Sequence, residues 1–390
     1  MPEAGPPTLH DTVDLTTPPP AAGISATAPA GIATSAEASQ PSPGVVPTLP
    51  ADSPSFTPPE PGRVSLAFHP DESLALALRR VALDQFAIAI DGLAAPGEDR
   101  DGAVHEARKA LKRLRALLRL VRDELGETVY RNENVVLRDV GRLLAPVRDS
   151  WVMATSIPHL QEVAPGAMPP EAYHGLHRRL VERHLRMTDD VLGDRQRMLD
   201  IGVTLRTARA RFASWPVADA VLDPVAAAAA GAGGVPVRHR IPDAFSSLDR
   251  GMARVYRRGR RAMRSADRVP TEAVFHEWRK RVKYLRYQVE ALSLLWPNVL
   301  GALEASLGEL ADVLGDEHDL AVLGQVVTSN VVLLPVDTER YSFLTAVARQ
   351  RIALQRRAFG IGRLAYAEAP PAFVARMRSY WRSSVPTWRR

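Results

Sequence analysis

The sequence contains no cysteine, which removes disulfides, thiolate nucleophiles and thiolate metal sites and leaves only histidine and carboxylate side chains for any metal. Aromatic residues make up 6% of the chain, which gives little support to base stacking along an extended surface. No apolar run approaches the roughly 18 residues that span a bilayer, and the greasiest piece, Val221 to Pro236, is mostly small Ala and Gly. No Lys or Arg precedes Arg63, and no apolar stretch of signal-peptide length lies near the start. The expectation is a soluble, cytoplasmic protein with no secretory signal and no membrane partner. Gly-rich phosphate loops of the Walker or dinucleotide type and a Gly-x-Ser-x-Gly elbow are also missing, so catalysis on a nucleotide or through a serine triad has no support. Lysine is the last scarcity: the fifty basic residues comprise 46 arginines and only four lysines.

The charge that is present is unevenly placed. Residues 1–62 carry six acids (Glu3, Asp11, Asp14, Glu37, Asp52, Glu60) and no base, so the rest sets fifty bases against 38 acids, a net of +12. A body this basic favours a polyanionic partner, through its summed field and through counterion release. The same first 62 residues hold 15 of the 32 prolines and few large apolar side chains, which predicts a disordered tail.

From about Asp71 onward, apolar residues recur three and four apart, which is helix period. Breaks at Gly and Pro place helices at about 71–94, 102–125, 130–145, 149–163 and 169–199, with a short one near 203–213. An Ala/Gly/Pro-rich linker follows at 216–237, then helices at about 241–266, 271–295, 299–314, 318–329 and 336–359. The tail 366–390 carries a short helix at about 371–382. No alternating strand pattern occurs, so the fold class is all-α.

The two sides of the linker resemble each other. His105-Glu106-Ala107-Arg108-Lys109-Ala110-Leu111-Lys112-Arg113-Leu114-Arg115 aligns with His276-Glu277-Trp278-Arg279-Lys280-Arg281-Val282-Lys283-Tyr284-Leu285-Arg286 at an offset of 171, with seven of eleven positions identical. Leu137 to Val152 aligns with Leu307 to Val322 at an offset of 170. A duplicated helical unit predicts two repeats, about 71–213 and 241–365, related by a pseudo-two-fold. On a helix, His105, Arg108, Lys109, Lys112, Arg115 and Arg119 share one arc about 120° wide and about 21 Å long, opposite Leu111, Leu114 and Leu118. Like charges at this spacing repel, and an anion would relieve them. All four lysines of the chain, Lys109, Lys112, Lys280 and Lys283, lie in the two strips. A chain that otherwise uses arginine keeps the compact ammonium only there.

The doubled pattern His-x-x-Arg-x-x-x-Lys-x-x-Arg, each copy followed by a Leu-Gly-x-x-x-Asp-type element, resembles the CHAD family of histidine-bearing helical domains over about residues 68–365. The second element is Leu314-Gly315-Asp316-Glu317-His318-Asp319, whereas the first reads Leu144-Ala145-Pro146-Val147-Arg148-Asp149, with Ala145 in place of the glycine. The resemblance implies two four-helix bundles whose basic faces line a shared surface or cavity. It also implies binding of inorganic polyphosphate, often on granules, with no catalysis and no cofactor. Carried over by position, the binding residues are His105, Arg108, Lys109, Lys112, Arg115, His276, Arg279, Lys280, Lys283 and Arg286. Arg119 ranks lower because Glu290 stands at its counterpart.

Three other readings compete. His276 with His318-Asp319 has the look of a phosphohydrolase metal site, but the first copy has Arg148-Asp149, and arginine is no metal ligand. Asp149 and Asp319 instead read as N-caps of helices beginning just after them. A +12 body would also hold nucleic acid non-specifically, and the Pro-rich tail could tether partners. Arginines crowd 254–264, and Arg178, Arg179, Arg183, His184 and Arg186 crowd a first-half helix. Each crowd reads equally as polyanion contact or solvated face. Oligomeric state has no signature in the sequence.

Overall fold

The computed structural model describes residues 65–215 and 241–388, apart from Pro70, Pro96 and Glu98. The predicted disordered tail, 1–62, and the predicted linker, 216–237, lie outside the described residues. The first half contributes α1 (Leu74–Ala94), α2 (Arg100–Leu120), the single turn α3 (Arg122–Leu125), α4 (Glu127–Leu143), α5 (Ala145–Val163), α6 (Pro170–Leu192) and α7 (Arg195–Ala213). The second contributes α8 (Ser246–Arg268), α9 (Glu272–Ala291), α10 (Pro297–Ser329), α11 (Asp337–Ala365) and α12 (Pro370–Trp388). Among the described residues there is no strand, and the class is all-α as the periodicity predicts.

Local chemistry sets many of the boundaries. Ser73 caps α1 by accepting from Leu76 N, Asp99 caps α2 by accepting from Gly102 N at 2.7 Å, and Asp194 caps α7 by accepting from Arg197 N at 3.0 Å. Such caps satisfy first-turn N–H groups that have no partner inside the helix. The Asp194 cap explains why the helix expected over 169–199 ends at Leu192 and a new one starts at Arg195.

Helix α10 departs most from the expectation. The glycine at 315 predicts a break between 314 and 318, yet α10 runs unbroken for 33 residues. One glycine costs a helix only about 1 kcal/mol relative to alanine, and burial of Leu307, Leu310, Leu314, Leu320 and Leu323 outweighs that. The first half does break at the equivalent point, between Leu143 and Ala145, where Pro146 lacks an N–H and opens the next helix. Asp149 therefore lies in the second turn of α5 and Asp319 in mid-helix, so neither is an N-cap.

The packing does not divide at the linker. One hydrophobic cluster runs from Leu74, Phe86, Leu114 and Phe212 to Tyr256, Trp278, Leu285 and Phe373. A second joins Ile157, Tyr173 and Leu180 of the α5/α6 hairpin to Leu323, Val327 and Phe343 of the α10/α11 hairpin. The C-terminal helix α12 belongs to the first cluster through Phe373, Met377 and Trp381. Each cluster thus draws on both halves of the chain.

The motif helices α2 and α9 pack on each other, and α5 contacts both α2 and α10. Buried polar bonds tie the two motif helices together: Arg113 Nη2 donates to Glu290 Oε1 at 3.4 Å and Gln288 Nε2 to the Ala116 carbonyl at 3.4 Å. At the far end of α2, Gly251 lets α8 approach so closely that a Cβ there would lie 1.9 Å from the Leu120 carbonyl oxygen.

Candidate functional site

The two strips do not lie open along their whole length. Leu111, Leu114, Leu118 on α2 and Trp278, Val282, Leu285 on α9 are buried, which turns the opposite arcs outward. Since α2 and α9 pack together, the inner parts of those arcs converge. Lys112 and Lys283 lie within electrostatic reach of each other and of Arg279, and Arg108 and Arg148 act on Lys112. Five cations, Arg108, Lys112, Arg148, Arg279 and Lys283, thus gather from α2, α5 and α9.

This gathering forms a recess. Lys112 and Lys283 keep intermediate solvent exposure, yet burial is the first cause of a strong fall in the pKa of each. Burial, then Arg108 and Arg279, push Lys112 down to about 7 against the pull of Asp149. Burial, Arg279 and Lys112 hold Lys283 well below its ordinary value despite Asp319 and Asp312. A group that touches water while protein surrounds it sits in a concavity, where its charged form is poorly solvated.

The aspartates of the second element serve here as counter-charges. Asp319 Oδ1 accepts from Arg279 Nη1 at 3.4 Å, and Asp149 Oδ1 lies 3.7 Å from Arg108 Nη2. Burial raises the Asp149 carboxyl, opposed by Arg108. Arg108 Nη1 also donates to the Gly141 carbonyl at 2.5 Å, one of the last-turn carbonyls that α4 leaves without a donor when it breaks. Gly315 faces the Arg279 guanidinium, and a Cβ there would stand in ordinary contact with its Nη2 at 3.4 Å. The motif arginines of the two halves are therefore each paired with the aspartate of their own copy, and Arg108 alone adds a backbone carbonyl.

The histidines border the recess in neutral form. Burial and Arg148 bring His105 down to about 4, and burial with Arg279 brings His318 to about 3. Burial and Lys280 also lower His276, whose ring centroid lies 4.4 Å from that of His318. Both His276 and His318 leave Nδ1 without a hydrogen-bond partner among the described residues. Among those residues no group of three or more His, Asp or Glu side chains is arranged to hold a metal ion.

The remaining strip residues lie outside the recess. Lys109 Nζ bonds Glu106 at 3.1 Å and Lys280 Nζ lies 2.6 Å from Glu277, each a turn back on its own helix. Arg115 Nε donates to Asn134 Oδ1 at 3.1 Å, and Arg286 Nε to Glu304 Oε1 at 2.7 Å. The Arg119 guanidinium lies 4.1 Å from the Tyr284 ring centroid and donates to the Arg115 carbonyl at 2.6 Å.

Sequence reasoning passed over Arg148 and gave His318 only a metal role. Arg148 reads as a mere replacement for the second-copy histidine, yet it stands beside Asp319 and Arg279 from the other half of the chain. A Ser-His-Asp chain also emerges: Ser150 Oγ is 3.0 Å from His184 Nδ1, and His184 Nε2 is 3.0 Å from Asp101 Oδ2. Ser150 and His184 are 3% and 6% exposed, and Ser150 Oγ donates to the Val147 carbonyl. The hydroxyl is turned into its own helix, so the chain is a polar pin joining α2, α5 and α6. A cavity of about 350 Å³ between α4 and α7, lined by Val140, Leu143, Asp194, Arg197 and Ile201, contains no motif residue.

Comparison with known proteins bears on the fold and the lineage. The chain is similar to a solved structure, the crystal structure of the CHAD domain from the plant Ricinus communis, at 17% identity and a TM-score of 0.50, over 78% of this chain and 95% of that one. No curated protein matches. The family model described as CHAD domain matches residues 78–328, which take in both motif helices and both aspartates of the recess. The chain belongs to the CHAD domain family.

Proposed function

We propose that this protein binds inorganic polyphosphate in the recess between α2 and α9, at polyphosphate granules, and does so as a binding module without catalysis. The observation that carries the reading is the convergence of Arg108, Lys112, Arg148, Arg279 and Lys283 around a solvent-open recess, where Asp149 and Asp319 pair with the two motif arginines and Asp312, Asp316 and Asp101 lie within electrostatic reach. The two lysines are lowered first by burial and then by the neighbouring arginines, and a flexible chain of phosphates would supply the counter-charge that both effects call for. Arginine offers planar forks to phosphate oxygens, lysine a compact charge, and a neutral imidazole one N–H donor.

Nucleic acid fits the recess less well. Tyr284 and Tyr287, the tyrosines of the second strip, are 6% and 8% exposed, and the Tyr284 face is covered by Arg119. That leaves the strip without a stacking platform. The test is competition: labelled polyphosphate on the full chain is challenged with duplex DNA or RNA at equal phosphate concentration and fixed salt. Polyphosphate should outcompete both, and equal displacement by nucleic acid would refute the specific claim. Lys112→Ala with Lys283→Ala should weaken binding far more than Lys109→Ala with Lys280→Ala. Equal effects would remove the recess from the site.

A further inference from the structure

The strip on α2 does not end at Arg119. Gly251 brings α8 onto the C-terminal end of α2, against the Leu120 and Arg119 carbonyls. From that crossing a row of arginines runs along α8: Arg250, Arg254, Arg257, Arg258, Arg261, Arg264 and Arg268 fall within an arc about 120° wide and about 27 Å long. All of them except the half-buried Arg254 are exposed. The α8 acids, Asp249 and Asp267, fall outside this arc, and Asp249 is taken by Arg378 at 2.7 Å. Among the described residues, Arg254 pairs with Asp123 at 2.6 Å and Arg268 donates to the Arg264 carbonyl, while the guanidinium groups of Arg257, Arg261 and Arg264 meet no carboxylate.

The row is electrically continuous with the motif. Arg119 feels Arg115 on one side and Arg281 on the other, and Arg258 feels Arg281, Arg122 and Arg254. Steps of this kind lead from the motif helices to α8, and the carboxylates along the way are each taken by an arginine: Glu277 by Arg281, Glu127 by Arg122 and Asp123 by Arg254. Helix α1, which lies on α2 as α8 lies on α9, shows that the row is not a requirement of the packing. It carries only Arg79 and Arg80, and Arg80 is neutralised by Glu72 and Asp84. Like charges three and four residues apart destabilise a helix, so α8 bears a cost that α1 avoids.

We infer that the α8 arginine row is a second phosphate-binding segment, an extension of the recess that holds the part of a long polyphosphate chain that has left it. The inference rests on the proposed polyphosphate binding at the recess. The recess alone would hold a short oligophosphate, and the row would add affinity only for chains long enough to reach past Arg119. Phosphate polymer is favoured over nucleic acid here for the same reason as in the recess. Tyr256, on α8 itself, is fully buried, and Tyr130 and Tyr284 each have a ring face occupied, by Arg122 at 4.6 Å and by Arg119 at 4.1 Å.

The test compares tripolyphosphate with long-chain polyphosphate on the full chain, in wild type and in Arg257→Gln/Arg261→Gln/Arg264→Gln. Glutamine keeps helix propensity at these exposed positions. Long-chain affinity should fall about tenfold, and its log–log salt dependence should become shallower by about 2, while tripolyphosphate affinity changes less than about twofold. Loss of both ligands equally, or of neither, with helicity intact would overturn the inference. If the triple variant loses helicity, the single variants Arg257→Gln and Arg261→Gln carry the same comparison with a smaller step. Retention of long-chain polyphosphate with loss of duplex DNA would assign the row to nucleic acid instead. Wild type that binds neither phosphate ligand would refute the recess reading itself, an outcome distinct from all of these.

Discussion

Binding of polyphosphate should take up protons, and Lys112 should set how many. In the free protein its ammonium is pushed down to about 7 by burial and by Arg108 and Arg279, against Asp149. A phosphate chain supplies the missing counter-charge and returns the pKa toward the ordinary lysine value of about 10.4. At pH 8 the free side chain is about one-tenth protonated and the bound one almost fully, an uptake of about 0.9 proton from this residue. At pH 6 both states are charged and uptake falls to about 0.1. Affinity should therefore drop up to about tenfold per unit as pH rises from 7 toward 9, and level off below 7 as far as Lys112 is concerned. Lys283, also held well below its ordinary value by burial and by Arg279 and Lys112, adds to the same trend. Calorimetric titration in two buffers of different ionisation heat counts the protons. Terminal phosphates of the ligand titrate as well, with pKa about 6, so the comparison with Lys112→Arg isolates the residue: arginine stays charged and takes up nothing. Equal proton counts in the two proteins, or affinity that rises with pH, would refute the reasoning.

The same depressed lysine bears on stability. Between about pH 7 and 10 the unfolded chain binds more protons at Lys112 than the folded one, so the unliganded fold gains stability as pH rises. Lys112→Met should stabilise the unliganded protein by about 1–3 kcal/mol at pH 7 in denaturant titration, with the gap closing near pH 10. Gly251→Ala places a Cβ 1.9 Å from the Leu120 carbonyl oxygen and should cost about 3 kcal/mol by forcing α8 off α2; an unchanged Tm would show that the crossing is looser than described. Glu317, 0% exposed, accepts from Arg351 Nη2 at 2.7 Å and Gln355 Nε2 at 2.8 Å. Glu317→Ala should cost about 3–4 kcal/mol, and the double variant with Arg351→Ala should cost less than the sum. His184→Ala removes the imidazole that joins the buried Ser150 hydroxyl to the half-buried Asp101 carboxylate, while Ser150 keeps its bond to the Val147 carbonyl, a loss of about 1–2 kcal/mol in stability. Polyphosphate affinity should stay within about twofold at temperatures where the variant is folded, because His184 does not line the recess.

Much of this molecule is legible in one dimension. Helix period is a local property, and the alternation that buries Leu111, Leu114 and Leu118 while turning Arg108 and Lys112 outward can be counted along the chain. The internal match likewise needs no structure, and it sets Arg108 against Arg279 and Asp149 against Asp319 as counterparts; that each arginine pairs with its aspartate comes only from the structure. The errors are local too. Gly315 reads as a break because a glycine weakens a helix, but the burial that sustains α10 through it comes from the packing of α9, α11 and α5 against it, which the local pattern does not show. Asp149 and Asp319 read as caps for the same reason.

What the sequence by itself determined is the helical class, the buried faces, and two basic strips that hold every lysine. Apart from Arg119, whose counterpart is Glu290, it leaves the strip cations equivalent, since each is an outward position on a helix. Only the tertiary structure separates them. The crossing of α2 and α9, held by Arg113–Glu290 and Gln288–Ala116, sends Lys112 and Lys283 into one recess and leaves Lys109 and Lys280 beside their own glutamates. The crossing at Gly251 then carries the positive surface onto α8. Electrostatic potential depends on distances through space and on how much protein surrounds each charge, and neither is encoded in the spacing of residues along a single helix.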